Sequence, residues 1–409
     1  MLKNKKVNKF KSKNKLLKKR KEDFYIKHNN PKKFVYIRVL TISVFILFSL
    51  ISIILQSEGS SKGIVEKKYY KKFEKFKAKF DSDSKLIPYT NISIISHIYN
   101  KKIQKHKKNK INVNICMSLN NKYYYPTLVS MESALINCNK EKTFLTYHIQ
   151  CTPEVTQDIL SILKSLVYKY PYNLEIIFYN MNDILVSLNN ERYSQATYYR
   201  ILSPIIFDID RIIHIDADTL VLKDLSEMYE YDLDDNYFLG ILDMKSDGVD
   251  FLGVKSEKYI NCGVILINLD KIRQDKRIYD CIDVFNKNIS LPDVDQTLIN
   301  YVFYPKIGIM PSKYITFNFY DEQDIRFYHS KLRTKVDISE LINSLDNTTI
   351  IHFLLCYPKI WDFESKYKSS MSKCEERKDC SCSKFHDLWY SYANKTLYYN
   401  DIYKFYKKN

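Results

Sequence analysis

Two carboxylates stand one residue apart at the end of an apolar segment. Asp216 and Asp218 directly follow residues 212–215, whose apolar side chains predict a buried strand. Residues i and i+2 of a strand point to the same side, so an extended Asp-Ala-Asp segment would aim both carboxylates at one point. Two carboxylates that close repel each other unless one is protonated or a cation lies between them. The pair therefore predicts a divalent ion of the magnesium or manganese type.

The residues before this pair alternate between predicted strands and predicted helices. Strand patterns occur at 111–117, 144–149 and 174–179, and the segments between them have helical spacing. This alternation predicts an α/β domain with a mostly parallel central sheet and helices on both faces. In such sheets ligands bind beyond the carboxyl ends of the strands, which is where the two aspartates fall. No GxGxxG or GxxxxGK motif occurs, so those two modes of nucleotide binding are unsupported.

The motif "IIHIDADTLV" is typical of two enzyme families. It resembles the D-x-D-x-T motif of haloacid-dehalogenase-like phosphatases, which usually opens their domain. It also resembles the D-x-D motif of glycosyltransferase family 8, which includes glycogenin and bacterial lipopolysaccharide sugar transferases. Three predicted strands precede the motif here, which favours the second family.

Four segments are similar to family 8 in order and in separation. They are "SQATYYRILSPIIFDIDRIIHIDADTLVLKDLSEMYEYDL" (194–233), "YINCGVILINLDKIR" (259–273), "DVDQTLIN" (293–300) and "IIHFLLCYPKIWD" (350–362). The resemblance covers nearly all of residues 111–400. It implies a Rossmann-like nucleotide-diphospho-sugar transferase fold of the GT-A type, and a metal-dependent hexosyltransferase that retains the configuration of the transferred sugar.

The resemblance also implies a role for each matched residue. The ligands of a Mn²⁺ or Mg²⁺ ion would be Asp216, Asp218 and His352. The nucleotide-sugar donor, expected to be UDP-linked, would contact Asn120, Asn121, Tyr123, Asp216, Ala217, Asp218 and Lys359. The residues closest to the sugar, the acceptor and the reacting bond would be Gln296, Asp295, Asp243, Asn261 and Arg200.

The implied chemistry is coherent on physical grounds. A metal ion that bridges the diphosphate, assisted by Lys359 and Arg200, would stabilise the charge that grows on the leaving oxygen. No Asp or Glu is identifiable from the sequence as a covalent nucleophile. The sequence therefore favours same-face transfer, in which the departing phosphate deprotonates the acceptor hydroxyl of a glycan or glycoprotein.

Two departures from the family pattern keep other functions open. The first loop reads "LNNKYYY", with Asn120 and Asn121 where family members usually carry acids, which leaves the nucleotide preference open. The last motif lacks the family's glycine and has one extra residue between His352 and Lys359. The alternatives are a catalytically silent sugar-binding or scaffolding homologue and, less favoured, a D-x-D-x-T phosphatase.

The charge of the chain is concentrated before the catalytic segment. Residues 1–38 carry 15 Lys or Arg against two acids, and so contribute +13 of the net charge of +17. The high pI therefore describes a tail and does not indicate a nucleic-acid partner. Residues 39–55 lack charge over 17 positions, about 25 Å of helix, which predicts one transmembrane signal anchor. The basic flank predicts that residues 1–38 stay in the cytosol.

The remaining organisation follows from that topology. Residues 56–110 are predicted to be a polar stem, 111–400 the catalytic domain and 401–409 a C-terminal tail. We expect a type II protein of the Golgi or endoplasmic reticulum membrane, with a luminal catalytic domain. Four Asn-x-Ser/Thr triplets follow the anchor and agree with this topology, at Asn91, Asn288, Asn347 and Asn394.

Overall fold

The structure is a computed structural model of the chain. It describes residues 71, 92–99, 107–181, 194–243, 253–254, 256–286, 291, 293–319, 321–332, 337–354, 359–362 and 383–408. The predicted cytosolic tail (1–38) and signal anchor (39–55) lie outside these residues. Within the described part of the chain, no helix combines the length and apolar character needed to cross a membrane. The fold below belongs to the compact unit Lys72–Asn409.

Eleven strands are formed by the described residues. In chain order they are β1 (Ser93–Ile98), β2 (Ile111–Leu119), β3 (Thr143–Cys151), β4 (Leu174–Asn180), β5 (Arg211–Ile215), β6 (Thr219–Val221), β7 (Phe238–Leu242), β8 (Ile260–Asn268), β9 (Ile307–Ile309), β10 (Ile315–Phe317) and β11 (Ile350–His352). The central strands are almost wholly buried: every residue of β3 and all but the last of β8 are inaccessible to solvent. Such strands read as near-continuous apolar runs because both faces of the sheet are covered.

The helices alternate with the strands and then close the C-terminal side. They are α1 (Tyr124–Asn137), α2 (Gln157–Lys169), α3 (Ser203–Ile206), α4 (Ser226–Tyr229), α5 (Leu269–Gln274), α6 (Ile278–Asn286), α7 (Val294–Phe303), α8 (Glu322–Lys331), α9 (Ile338–Ser344), α10 (Ser383–Ala393) and α11 (Tyr399–Lys408), with 3₁₀ helices at Gln195–Leu202 and Ser256–Lys258. Helix α2 shows the local logic: Thr156 caps its first turn by accepting from the Ile159 N–H. Its apolar stripe then packs into the core.

The central sheet is mixed, which corrects the prediction of a mostly parallel sheet. Its eight strands lie in the order β1-β4-β3-β2-β5-β8-β7-β9. The strands β4, β3, β2 and β5 are parallel, as their alternation with helices predicts. Strand β8 instead runs antiparallel to both β5 and β7, and β1 runs antiparallel to β4. The prediction depended on strand–helix alternation, which ends at β5.

A second, three-stranded sheet positions the C-terminal motif beside the first aspartates. Its strand order is β10-β11-β6. Strand β11 pairs antiparallel with β6, and His352 at its end lies opposite Thr219 at the start of β6. Because β6 follows β5 after only three residues, this pairing brings two motifs that are far apart in sequence to one edge of the central sheet.

Two segments outside the predicted catalytic range of 111–400 pack with the described domain. Residues 93–98, placed in the stem by sequence, form the edge strand β1 of the central sheet. Residues 401–408, placed in a C-terminal tail, belong to α11, whose Ile402 and Tyr406 are buried in the main core. In residues 401–408 the Lys and Tyr residues hide a short apolar pattern, because their stems and rings cover core surface.

Candidate metal and donor site

Three predicted metal ligands meet where β5, β6 and β11 approach one another. Strand β5 ends at Ile215, the chain bends at residues 217–218, and β6 starts at Thr219. The Asp-Ala-Asp segment is thus a bend and not the extended strand that the sequence suggested. One ligand atom each from Asp216, Asp218 and His352 nevertheless lies within 4.8 Å of the other two.

The imidazole of His352 lies directly against Gly263 of strand β8. A Cβ atom on Gly263 would lie 2.2 Å from Cε1 of His352 and 2.8 Å from each ring nitrogen, so no larger residue fits without moving the ring. His352 is buried, and its Nε2 lies 3.3 Å from Oδ1 of Asp218. Its Nδ1 has no hydrogen-bond partner among the described residues.

Each aspartate has its own basic partner, so the repulsion argued from sequence is already offset. Nη2 of Arg200 lies 2.9 Å from Oδ1 of Asp216, and Nζ of Lys359 lies 2.5 Å from Oδ2 of Asp218. Burial raises the pKa of both carboxyl groups, but these cations outweigh it and leave both pKa values below the usual range. Burial likewise opposes the charge of Lys359, yet Asp218 raises the pKa of its ammonium.

The residues fit a hard divalent cation. Two ionised carboxylates and one imidazole form a donor set that suits Mn²⁺, and the orphaned Nδ1 leaves the imidazole short of one partner. Asp216, Asp218 and His352 would hold the ion, with Lys359 at its edge.

Arg200 is buried between this cluster and helix α7. It lies in the 3₁₀ helix Gln195–Leu202 and is only 5% exposed. Besides Asp216, its Nε pairs with Oδ2 of Asp295 at 3.0 Å, and its Nη1 donates to the carbonyl of Cys262. Burial raises the pKa of Asp295 to about 7, although Arg200 opposes the rise. Arg200 therefore connects Asp216 of the metal cluster to Asp295 of the "DVDQ" motif through two ion pairs.

The predicted sugar-pocket residues form one hydrogen-bonded cluster. Nδ2 of Asn261 donates to Oδ2 of Asp243 at 2.9 Å and to Oε1 of Gln296 at 3.2 Å. Nε2 of Gln296 donates to the same Asp243 oxygen at 3.2 Å. The cluster joins β7, β8 and α7, and the Asp295–Arg200 pair connects it to the metal ligands.

Comparison with known proteins identifies the family to which this arrangement belongs. Residues 114–364 match the model of Glycosyl transferase family 8. The chain belongs to glycosyltransferase family 8. The family predicted from the four sequence segments is therefore confirmed.

Family 8 relatives show the extent of the similarity. The chain is 25% identical over 213 residues to lipopolysaccharide 1,2-glucosyltransferase of Escherichia coli, across 49% of this chain and 61% of the relative. It is 25% identical over 187 residues to general stress protein A of Bacillus subtilis, across 42% of this chain and 62% of the relative. The chain thus spans about six tenths of the length of the curated relatives it matches.

Solved structures show the fold. The galactosyltransferase LgtC, in complex with donor and acceptor sugar analogues, superposes with a TM-score of 0.54 at 18% identity, over 70% of this chain and 96% of LgtC. The WbbM bifunctional glycosyltransferase gives a TM-score of 0.55 at 18% identity, over 72% of this chain and 51% of WbbM. The likeness shows an α/β fold of the GT-A type around a mixed sheet.

The first loop differs from the family 8 pattern, and its side chains take structural roles. Oδ1 of Asn120 accepts from the backbone N–H groups of Lys122 and Tyr123, which holds the turn before α1. Asn121 is exposed. Tyr123 packs edge-on against Trp361 with ring centroids 5.9 Å apart. Burial raises the pKa of Tyr123, and the charge of Lys359 opposes the rise, so this ring borders the cluster.

Two further site positions differ in what the structure describes of them. Ala217 is half-buried in the bend between the aspartates. The altered part of the C-terminal motif, residues 355–358, lies outside the described residues. Lys359 beyond it still reaches Asp218, so the extra residue in that motif does not carry the lysine away from the cluster.

Sequence reasoning missed two residues behind Asp216. Nε2 of His214 lies 3.0 Å from Oδ1 of Asp216, and Sγ of Cys116 lies 3.3 Å from Nδ1 of the same histidine. The signal was present for His214, because it stands two residues before Asp216 and so points to the same side of the chain. Cys116 had no such signal, since it lies on the neighbouring strand β2.

Proposed function

We propose that the chain is a metal-dependent, retaining glycosyltransferase that moves a hexose from a UDP-linked donor to a glycan or glycoprotein acceptor. The observation that carries the proposal is the convergence of Asp216, Asp218 and His352 within 4.8 Å, with Lys359 bonded at the same point. Membership of family 8 supports it. So do a relative named as a lipopolysaccharide glucosyltransferase and a neighbour solved with donor and acceptor sugar analogues.

A divalent ion held by Asp216, Asp218 and His352 would supply charge neutralisation at the diphosphate of the donor. Lys359 then exchanges partners: its ammonium, 28% exposed, leaves Asp218 and binds the diphosphate. Lys359 thereby adds a positive charge where the leaving oxygen becomes negative, which is the form of stabilisation that most lowers the barrier to such transfers. The buried guanidinium of Arg200, paired with Asp216, keeps that carboxylate ionised.

The sugar-pocket cluster offers several donors and acceptors but no free carboxylate nucleophile. Both Asn261 and Gln296 donate to Oδ2 of Asp243, and Asp295 is paired with the buried Arg200. A carboxylate that is already hydrogen-bonded or ion-paired is a poor nucleophile. The cluster therefore supports same-face transfer, with the donor phosphate accepting the acceptor's proton, and assigns to Gln296 and Asn261 the orientation of the sugar hydroxyls.

A catalytically silent homologue is the second candidate function. The first loop favours it, because the side-chain oxygen of Asn120 accepts hydrogen bonds within the turn and Asn120 supplies no acid for the nucleotide. The complete set of predicted metal ligands opposes it. A phosphatase role would make Asp216 a covalent nucleophile, whereas its Oδ1 accepts from both Arg200 and His214.

Titration of the purified domain with Mn²⁺ in the presence of a panel of nucleotide sugars separates these functions. We expect Mn²⁺-dependent binding of UDP-sugars and, with a suitable acceptor, release of UDP and a product of unchanged anomeric configuration. Binding without UDP release on any acceptor would establish the silent homologue. Donor binding that is independent of metal would overturn the proposed function.

We also propose that the domain works on the luminal side of the Golgi or endoplasmic reticulum membrane, anchored by residues 39–55. The basic residues before that segment support this orientation. Two glycosylation acceptors that the structure describes, Asn347 and Asn394, are both exposed, so the folded domain can carry glycans there.

A further inference from the structure

Two buried polar groups, the thiol of Cys116 and the imidazole of His214, form a row that ends at the half-buried carboxylate of Asp216. Strands β2 and β5 pair in parallel with Cys116 opposite His214. Sγ of Cys116 lies 3.3 Å from Nδ1 of His214, and Nε2 of His214 lies 3.0 Å from Oδ1 of Asp216. Cys116 and His214 are both fully buried, and Oγ of Ser203 lies 4.0 Å from the same sulfur.

The protons of this row can be assigned from its acceptor end. The ionised carboxylate of Asp216 only accepts, so Nε2 of His214 must carry the proton that it shares with Oδ1. A neutral ring with its proton on Nε2 leaves Nδ1 as an acceptor, and Nδ1 faces the Cys116 thiol at 3.3 Å. Burial raises the pKa of Cys116 to about 12, so its thiol keeps its proton and donates to Nδ1.

The same order of groups, thiol then imidazole then carboxylate, occurs in cysteine nucleophiles, but that role is excluded here. A nucleophilic cysteine needs contact with substrate and a lowered thiol pKa. Cys116 has neither, because it is 0% exposed and its pKa is raised. The row therefore acts on Asp216 and not on a substrate.

The contacts of Asp216 show what the row does to it. Oδ1 accepts from both His214 and Arg200, and none of the described residues donates to Oδ2. Two donors on one oxygen fix the rotation of the carboxylate and leave the other oxygen available. Asp218 is held differently, by Lys359 and His352.

We propose that His214 and Cys116 are positioning residues that fix the Asp216 carboxylate for the divalent cation of the proposed site. The inference rests on the proposed function, because it assumes that a cation binds there. Groups that orient a metal ligand in this way typically change metal affinity by about 10- to 100-fold when they are removed.

The test measures binding of Mn²⁺ alone, from the loss of the electron paramagnetic resonance signal of the free ion. His214→Phe keeps the ring volume but removes the donor, and we expect it to weaken Mn²⁺ binding by about ten-fold or more. His214→Gln places an amide N–H near the former Nε2 and should retain most of the affinity. His214→Asn carries the same group on a shorter arm, cannot reach Asp216, and should behave like the phenylalanine variant. Cys116→Val should weaken binding by a smaller factor.

The matched control is His148→Phe, a second fully buried histidine that lies on β3 and bonds to Tyr179 and Asn114 instead of to the site. It should lose stability without changing Mn²⁺ affinity.

If His214→Phe does not fold, the Gln and Asn variants decide. Equal affinity in those two variants, or an equal loss in His148→Phe, overturns the inference, and unchanged affinity in Cys116→Val removes Cys116 from it. If the unmodified chain binds no Mn²⁺, the proposed function fails and this inference with it, whereas normal binding in wild type with equal binding in all His214 variants sinks the inference alone.

Discussion

At the scale of single residues, the two aspartates differ in what holds them, and their variants should differ accordingly. We predict that Asp216→Asn and Asp218→Asn each abolish Mn²⁺-dependent donor binding. In the absence of metal, Asp216→Asn should also destabilise the fold by about 1–3 kcal/mol, because it removes a charged partner from the buried Arg200. Asp218→Asn should cost less, since the half-exposed Lys359 can turn to water. Isothermal titration and urea unfolding measure the two effects. Metal-stimulated transfer by the double variant would contradict the ligand assignment.

Substitution of Lys359 should affect metal binding and donor binding in opposite directions. In the chain without ligands its ammonium occupies Oδ2 of Asp218, so it competes with a metal cation for that carboxylate. Lys359→Gln should therefore bind Mn²⁺ alone as tightly as wild type or more tightly, and yet bind the UDP-sugar more weakly at saturating Mn²⁺. Titration of metal first and donor second resolves the two steps. A loss of Mn²⁺ affinity together with donor affinity would mean that Lys359 supports the metal ligands rather than the diphosphate.

The sequence predicted the residues that would hold a cation better than the residues that support them. Asp216 and Asp218 were predictable from a short motif after an apolar strand, and His352 from its place in a family segment. The Arg200–Asp295 pair joins a 3₁₀ helix to α7, and such a contact leaves no trace in local spacing. Asn120 was predicted to bind the nucleotide, and its turn-forming hydrogen bonds follow from a tendency of Asn that applies at any turn.

At the scale of elements, β8 carries the glycine on which the position of His352 depends. We predict that Gly263→Ala weakens Mn²⁺ binding by about ten-fold or more, because its methyl group would overlap the imidazole and push it from Asp218. Gly240→Ala on the neighbouring strand β7 is the matched control, because its Cβ would also be crowded, at 3.0–3.1 Å from Ile260, Ile265 and the carbonyl of Asn261, but would touch no predicted metal ligand. Equal Mn²⁺ affinity in the two variants would show that His352 is not a ligand.

The edge strand β1 is tied to the sheet by a buried acid. Glu175 on β4 pairs with His97 on β1 and lies 2.6 Å from Nζ of Lys107. Burial raises the pKa of Glu175, but His97 and Lys107 outweigh it and lower the pKa to about 2 from 4.5. A depressed carboxyl pKa contributes stability above pH 4.5 that is lost as the pH falls towards 2, on the order of 3 kcal/mol in full.

Replacement of that acid should make the free energy of unfolding less dependent on pH under acidic conditions. We predict that Glu175→Gln is less stable than wild type near neutral pH, and that the difference shrinks as the pH falls from about 5 to about 3. Urea unfolding across that range measures it, and hydrogen exchange should show β1 opening first in the variant. A difference that does not depend on pH would mean that Glu175 acts through packing and not through its charge.

The direction of strands was the part of the fold that sequence patterns could not supply. Alternating strands and helices predict parallel neighbours, and β2 to β5 obey this rule. An apolar strand reads the same in either direction, so nothing in the segment that forms β8 indicates that it enters antiparallel between β5 and β7. The apolar pattern of residues 212–215 was nevertheless sufficient to place Asp216 after the end of β5, and this placement is the one on which the site prediction depended.

At the scale of the whole molecule, the proposed transfer requires that the family 8 domain meet a donor and an acceptor in one compartment. The chain spans about six tenths of the length of its curated relatives, and its basic segment 1–38 and apolar segment 39–55 precede the family match at 114. A luminal domain would meet luminal glycan and glycoprotein acceptors, whereas a cytosolic domain would meet cytosolic ones. The orientation of the chain therefore decides the class of acceptor.

We predict that the domain lies in the lumen and carries N-linked glycans. In sealed microsomes, added protease should leave the part of the chain after residue 55 intact until detergent is added. Endoglycosidase should lower its apparent mass, and Asn347→Gln and Asn394→Gln should each reduce that shift, because both asparagines are exposed on the folded domain. Substitution of Asn347 also removes its contact with Lys223, so its folding needs a separate check by thermal melting. Digestion of the domain without detergent, or no mass shift in any variant, would place the domain in the cytosol, where the acceptor must be sought among cytosolic glycans instead.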